Sequence, residues 1–171
     1  MIKLSGAAVA ITSTRGGAAT ETAVSALALT LTNGGGTVTG TNVTFFNTIG
    51  SKAGYSGANS GYAGINIANG VTANLSAPTT GGTNSLEGIL FFQDSSIPAG
   101  SAASYFAGGA NLTLAGALYF PTTQLNYSNG INAAYTILVA DTIVFTGGAT
   151  MNNNYASLTN GSPIQSSSLY E

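Results

Sequence analysis

Leu27, Leu29 and Leu31 alternate with Ala28, Thr30 and Thr32. This period of two puts apolar side chains on one face of an extended strand and small or polar ones on the other. A helix would scatter the same leucines around its circumference, so the run commits this part of the chain to β structure. Similar segments follow at Val38 to Phe46, Ile65 to Leu75, Gly88 to Phe92, Leu112 to Phe120, Leu125 to Tyr127 and Ile137 to Phe145. Clusters such as Asn33 to Gly36 end them. No stretch long enough for a helix combines an apolar stripe at helical spacing with caps, and only Pro98 to Phe106 is expected to form a helical turn or two. The chain therefore reads as all-β, and the alternation assigns Leu114, Leu118, Phe120, Ile143 and Phe145 to one core.

These strands carry almost no charge. Lys3, Arg15, Glu21, Lys52, Glu87, Asp94, Asp141 and Glu171 are the only charged side chains among 171 residues, or 5%, against about 25% in ordinary globular proteins. Gly, Thr, Ser and Asn fill 81 positions instead. Hydroxyl and amide groups keep their state across a wide range of pH and salt, which suits an extracellular or cell-surface setting. The chain has no His and no Cys, which excludes Ser-His and Cys-His catalytic pairs, conventional zinc and haem sites and iron–sulfur clusters. Three basic residues cannot neutralise a run of phosphates or dock on anionic lipid, so neither nucleic acid nor direct membrane insertion is expected. Leu4 to Ile11, broken by Ser5 and Gly6, is too short and weak for a signal-peptide core or a spanning helix. Ala8-Val9-Ala10 does resemble a small-residue cleavage site, and the chain is expected to be a mature protein or an excised domain. Its length suits a single β domain over 1–171, with 1–23 an arm or first coil and 160–171 a tail.

The segments also resemble one another. Residues 108–120 can be laid over 35–46 and over Val139 to Phe145. The closing aromatics Phe46, Phe91 or Phe92, Phe120 and Phe145 lie 45, 28 and 25 residues apart, with Leu75 splitting the first interval. Spacings of this order point to a parallel β-helix, a solenoid of about six or seven coils. Such a fold explains the missing charges, because stacked coils set equivalent side chains about 4.8 Å apart. Like charges so close repel, whereas Thr, Ser and Asn can hydrogen-bond along the stack. A β-sandwich or jelly roll, whose strands also alternate, is the alternative architecture.

Candidate sites are sparse. Glycoside hydrolysis needs paired carboxylates, but Glu87 and Asp94 sit at opposite ends of one strand, about 23 Å apart at 3.3 Å per residue. Asp141 falls two coils later. Asp94 is better read as capping its own turn, bonding an amide two residues on. Calcium would find oxygen ligands in Asp94, Asp141 and Asn152 to Asn154, but no calcium-loop motif is present. The Thr-x-Thr pairs at Thr12/Thr14, Thr20/Thr22, Thr30/Thr32 and Thr37/Thr39 invite comparison with ice-binding arrays. Their starts are 8, 10 and 7 residues apart, which denies them one shared ladder. Tyr55, Tyr62, Tyr105, Tyr119, Tyr127, Tyr135 and Tyr155 could make a sugar-binding or adhesive surface, but core and rim packing is the better account of them. Sequons make Asn42, Asn74, Asn111, Asn126 and Asn160 candidate glycosylation positions, with Asn160 in the best loop context. No residue is assigned a catalytic, cofactor or metal role.

The blocks Gly40 to Phe46, Ala73 to Thr79, Gly88 to Asp94, Gly109 to Pro121 and Ala140 to Gly147 resemble, in that order, the carboxy-terminal region of bacterial tight-adherence (Flp) pilus-assembly proteins. The likeness covers about residues 36 to 150, and Leu-x-Gly-x-Leu-Tyr-Phe-Pro, ending at Pro121, is its most specific run. It implies repetitive β structure without assigned catalysis, export, and contact with cell-surface or pilus components. The chain lacks that family's amino-terminal membrane helix. Together these features predict a non-enzymatic extracellular structural or adhesive module. A self-assembling filament or layer subunit is the alternative, with homomeric association through 1–23 or 160–171.

Overall fold

In a computed structural model, the described residues are 2–4, 9–11, 22–26, 29–31, 37–48, 62–68, 70–79, 86–107, 112–128, 131–132, 136–148 and 154–156. Among them there is no helix. The strands are β1 (Ile2–Leu4), β2 (Val9–Ile11), β3 (Thr22–Ala26), β4 (Leu29–Leu31), β5 (Thr37–Gly40), β6 (Val43–Asn47) and β7 (Asn66–Ile67). They continue with β8 (Thr72–Ser76), β9 (Ile89–Gln93), β10 (Ser104–Ala107), β11 (Leu112–Ser128), β12 (Ile131–Asn132) and β13 (Thr136–Thr146). Every described ladder is parallel, in one strongly curled sheet.

The ladders form three columns. The first runs β1, β4, β7, β10, the last third of β11 and the second half of β13. A second joins β2, β5, β8, the start of β11 and β12. The third joins β3, β6, β9, the middle of β11 and the first half of β13. Alternate residues of each column face a shared interior holding Leu31, Val38, Phe45, Ile67, Leu75, Phe91, Phe106, Leu114, Leu118, Phe120, Leu125 and Tyr127. Rings meet along it: Phe45 stacks on Phe91 at 5.0 Å, and Phe106 meets Phe91 and Phe120 edge-on at 5.1 and 6.0 Å.

Local chemistry sets the corners. The segment expected as one strand over Val38 to Phe46 is broken by Asn42, whose φ of 57° is the left-handed conformation that asparagine tolerates. That over Ile65 to Leu75 is divided by Gly70, at φ 81°. The segments Leu112 to Phe120 and Leu125 to Tyr127 instead merge into the 17 residues of β11. A register shift between Phe120 and Gln124 absorbs Pro121, which has no N–H for a ladder. Pro98 to Phe106 forms no helix. A turn over 98–101, closed by Ser101 N–H donating to the Pro98 carbonyl at 3.2 Å, precedes β10. The pull of the interior decides this, since Ser104 and Phe106 are fully buried there.

Three of the five residues assigned to one core, Leu114, Leu118 and Phe120, are buried. Ile143 is half-buried and Phe145 is 51% exposed. Phe145 also meets Tyr127 edge-on at 6.1 Å rather than lying in the Phe120 rung, whose register partner is Ala140. The cause is position, because β13 ladders only with β11 among the described residues while Tyr127 lies one strand deeper. Leu118→Ala should therefore cost about 2 to 5 kcal/mol, and Phe145→Ala well under half of that, in urea unfolding.

Candidate functional site

Two Phe-Phe-amide triplets build the most organised polar feature. In Phe45-Phe46-Asn47 and Phe91-Phe92-Gln93 the first ring faces the interior, the second faces outward, and the amide turns inward where the third column bends toward the first. The outer rings form their own ladder, Phe46 on Phe92 at 5.4 Å and Phe92 on Tyr119 at 5.2 Å, nearly parallel and half-buried. Because the rings cover one another's faces, the ladder offers edges rather than the open faces on which a sugar stacks.

Gln93 is fully buried and its amide is saturated. The Nε2 group donates to Tyr62 Oη and Thr123 Oγ1, each at 2.8 Å. Its Oε1 accepts from the Thr122 hydroxyl at 3.2 Å and the Thr122 N–H at 3.4 Å. Asn47, one strand away in register, donates to the Ala63 carbonyl at 3.3 Å. Gln93→Leu would orphan the buried Thr123 hydroxyl, so we expect a loss of about 2 to 3 kcal/mol; unchanged unfolding would mean the amide carries no net stability.

The acids are dispersed. Asp94 follows β9 and is buried, its Oδ2 accepting from Thr48 Oγ1 at 2.9 Å and its Oδ1 from the Ser96 N–H at 2.9 Å. This is the two-residue turn contact expected from Asp94-Ser95-Ser96. Glu87 is half-buried ahead of β9, and Asp141 is exposed on β13. Asp94 follows β9 and Asp141 lies on β13, and β11 ladders between those two strands. The three carboxylates thus sit in three different environments, and no group of three or more metal-ligating side chains occurs among the described residues.

The remaining candidates also separate. Thr30 lies in the first column, whereas Thr37 and Thr39 lie in the second, stacked on Thr72 and Asn74, with Thr113 beyond Asn74. Thr12, Thr14, Thr20 and Thr32 fall outside the described residues. Of the tyrosines, Tyr127 is buried, Tyr62 binds Gln93, Tyr119 closes the outer ladder, and Tyr105 stands 50% exposed on the first column. Tyr55 and Tyr135 lie outside the described residues. Asn42 and Asn74 are exposed. Asn126 is half-buried, bonded to Gln124 at 3.0 Å and to the Ser104 carbonyl at 3.4 Å. Asn111, Asn160, Asn152 and Asn153 lie outside the described residues. The amide corner was not anticipated, although the repeated Phe-Phe-Asn and Phe-Phe-Gln triplets are a signal for it.

Burial pushes the Tyr127 phenol above its ordinary value of 10.0, with the Thr136 hydroxyl opposing the shift. The unfolded chain then ionises first as pH rises, so the folded state holds the extra proton. Stability is full below about pH 10 and falls as pH climbs toward the folded value. Tyr127→Phe should flatten that alkaline limb in urea midpoints measured against pH.

No protein-family model, curated protein or solved structure matches this chain.

Proposed function

We propose that this chain is a non-enzymatic structural or adhesive module of the extracellular surface, its three columns being the faces of a parallel β-helix. The first column is visited six times along the chain, in keeping with about six coils, and a sandwich would pair its strands antiparallel. The observation that carries the functional reading is where the polar chemistry sits. Gln93, Asp94 and the hydroxyls of Thr44, Thr48, Ser104 and Thr123 are engaged in turns and ladders, Glu87 precedes β9, Asp94 follows it and Asp141 lies on β13, and the outer positions of the second column are Thr, Asn, Ser and Ala. Such a body is a neutral scaffold with regular faces, suited to contact rather than turnover. The resemblance of residues 36 to 150 to Flp pilus-assembly proteins supports the same reading and adds cell-surface or pilus components as partners.

Antibody labelling of intact source cells tests it. Label on intact cells is the expected result; label only after permeabilisation overturns it. Glu87→Gln, Asp94→Asn and Asp141→Asn should each leave surface labelling unchanged. A self-assembling subunit is the second reading, favoured by the open end at β13.

A further inference from the structure

The open end of the sheet is a specific structure. β13 presents 11 residues that ladder only with β11 among the described residues. Its core-facing side chains lie directly over buried ones: Leu138 over Leu118, Ala140 over Phe120, Ile143 over Leu125 and Phe145 over Tyr127. The lower members are all fully buried, whereas the upper ones are half-buried or, for Phe145, 51% exposed. Among the described residues the interior thus runs out to β13 with no further strand beyond it. Natural sheet edges are blunted by Lys, Pro or inward charge, yet Thr136–Thr146 contains no Lys and no Pro, and its one charge, Asp141, is exposed.

We infer that β13 is an assembly edge whose occupant is the β1–β3 end of a second copy of this chain, a conclusion that rests on the β-helix reading above. Two arguments identify the occupant. The first and third columns end at β13 and the second ends at β12; they begin at β1, β3 and β2, each of which ladders on one side only among the described residues. A second copy therefore continues the same parallel columns, and with them the same interior. Charge disfavours the closed alternative. Asp141 is the midpoint of Thr136–Thr146, so full antiparallel pairing of two β13 strands would set Asp141 against its own copy, a like-charge contact. Head-to-tail stacking avoids this, because the one charged residue within the opposing strands is Lys3. A contact between two different ends that continues each column along its own axis carries the second copy onward rather than back toward the first, so it propagates into a filament.

Sedimentation velocity of the full chain over a range of concentrations should show association that grows with concentration. Phe145→Lys puts a charge into the joint and should weaken association at least about tenfold, the consequence of desolvating an unpaired charge. Tyr105→Lys, on an outward position away from the end, should leave it unchanged. Continuing the first column's register sets Lys3 beside Val144, through Thr30, Asn66, Tyr105 and Asn126. Neighbouring strands about 4.8 Å apart suit a disulfide, and the chain has no cysteine of its own. Mild oxidation of mixed Lys3→Cys and Val144→Cys proteins should therefore give the crossed dimer well above either self-dimer, a readout that survives if Phe145→Lys fails to fold. A monomer at every concentration, association untouched by Phe145→Lys, or predominant self-linkage of Val144→Cys would each overturn the inference. Surface labelling retained alongside any of these results would leave the proposed function standing.

Discussion

Phe91→Ala should remove about 4 to 5 kcal/mol, near the top of the range for a buried ring. Phe91 is fully buried where the third column meets the interior, stacked on Phe45 at 5.0 Å and edge-on to Phe106 at 5.1 Å. The variant loses the transfer energy of the ring, leaves a cavity bounded by a parallel sheet that cannot easily collapse, and forfeits two aromatic contacts of about 0.5 to 1.5 kcal/mol each. Since whole domains are stable by about 5 to 15 kcal/mol, one substitution would remove roughly a quarter or more of the total. Phe92→Ala, next in sequence but half-buried on the outer face, should cost about 1 to 2 kcal/mol in the same urea titration. Equal losses would mean that the two faces of β9 have been misassigned.

Gly116→Ala should cost about 2 to 5 kcal/mol, from steric overlap and backbone strain together. Gly116 adopts φ 147° in β11, and an added Cβ would stand 2.7 Å from Leu90 Cβ and 2.8 Å from Ala77 Cβ. Here β11 leaves the second column for the third, opposite the register irregularity in β9. Any side chain would force strands of two columns apart. Gly100 provides the control, with φ 76° but open space around its missing Cβ, so Gly100→Ala should cost only the backbone share, about 1 to 2 kcal/mol. A loss at Gly116 no larger than at Gly100 would show that the close approach is relaxed in solution.

The two cases mark how far the residues could be read in advance. Period two identified which side chain of each pair turns inward at Leu114, Leu118 and Phe120, because that choice depends only on neighbours along one strand. It failed at Phe145, where exposure depends on whether another strand lies beyond β13, a fact absent from the local pattern. The turn contact of Asp94 was legible because Asp94 and Ser96 are two residues apart. The saturation of Gln93 was not, since its amide partners Tyr62, Thr122 and Thr123 lie about thirty residues away on either side. Gly116 reads from its own sequence as one more glycine in a glycine-rich chain, and only the approach of Leu90 and Ala77 gives it a role.

All-β structure, the near absence of charge and the exclusion of histidine- and cysteine-based chemistry follow from the amino acids alone, because propensity, alternation and side-chain chemistry are properties of residues and their near neighbours. Which strand lies on which was decided only in the tertiary structure. Along the outer ladder Phe46 meets Phe92 after 46 residues, Phe92 meets Tyr119 after 27, and Tyr119 meets Val139 after 20. No single period describes these intervals. The connections vary freely because closing a longer surface loop costs little more than closing a short one. The register is held instead by Phe45 on Phe91, Gln93 with Thr122 and Thr123, and Leu118 beneath Leu138, contacts whose distance in sequence carries no energetic signature.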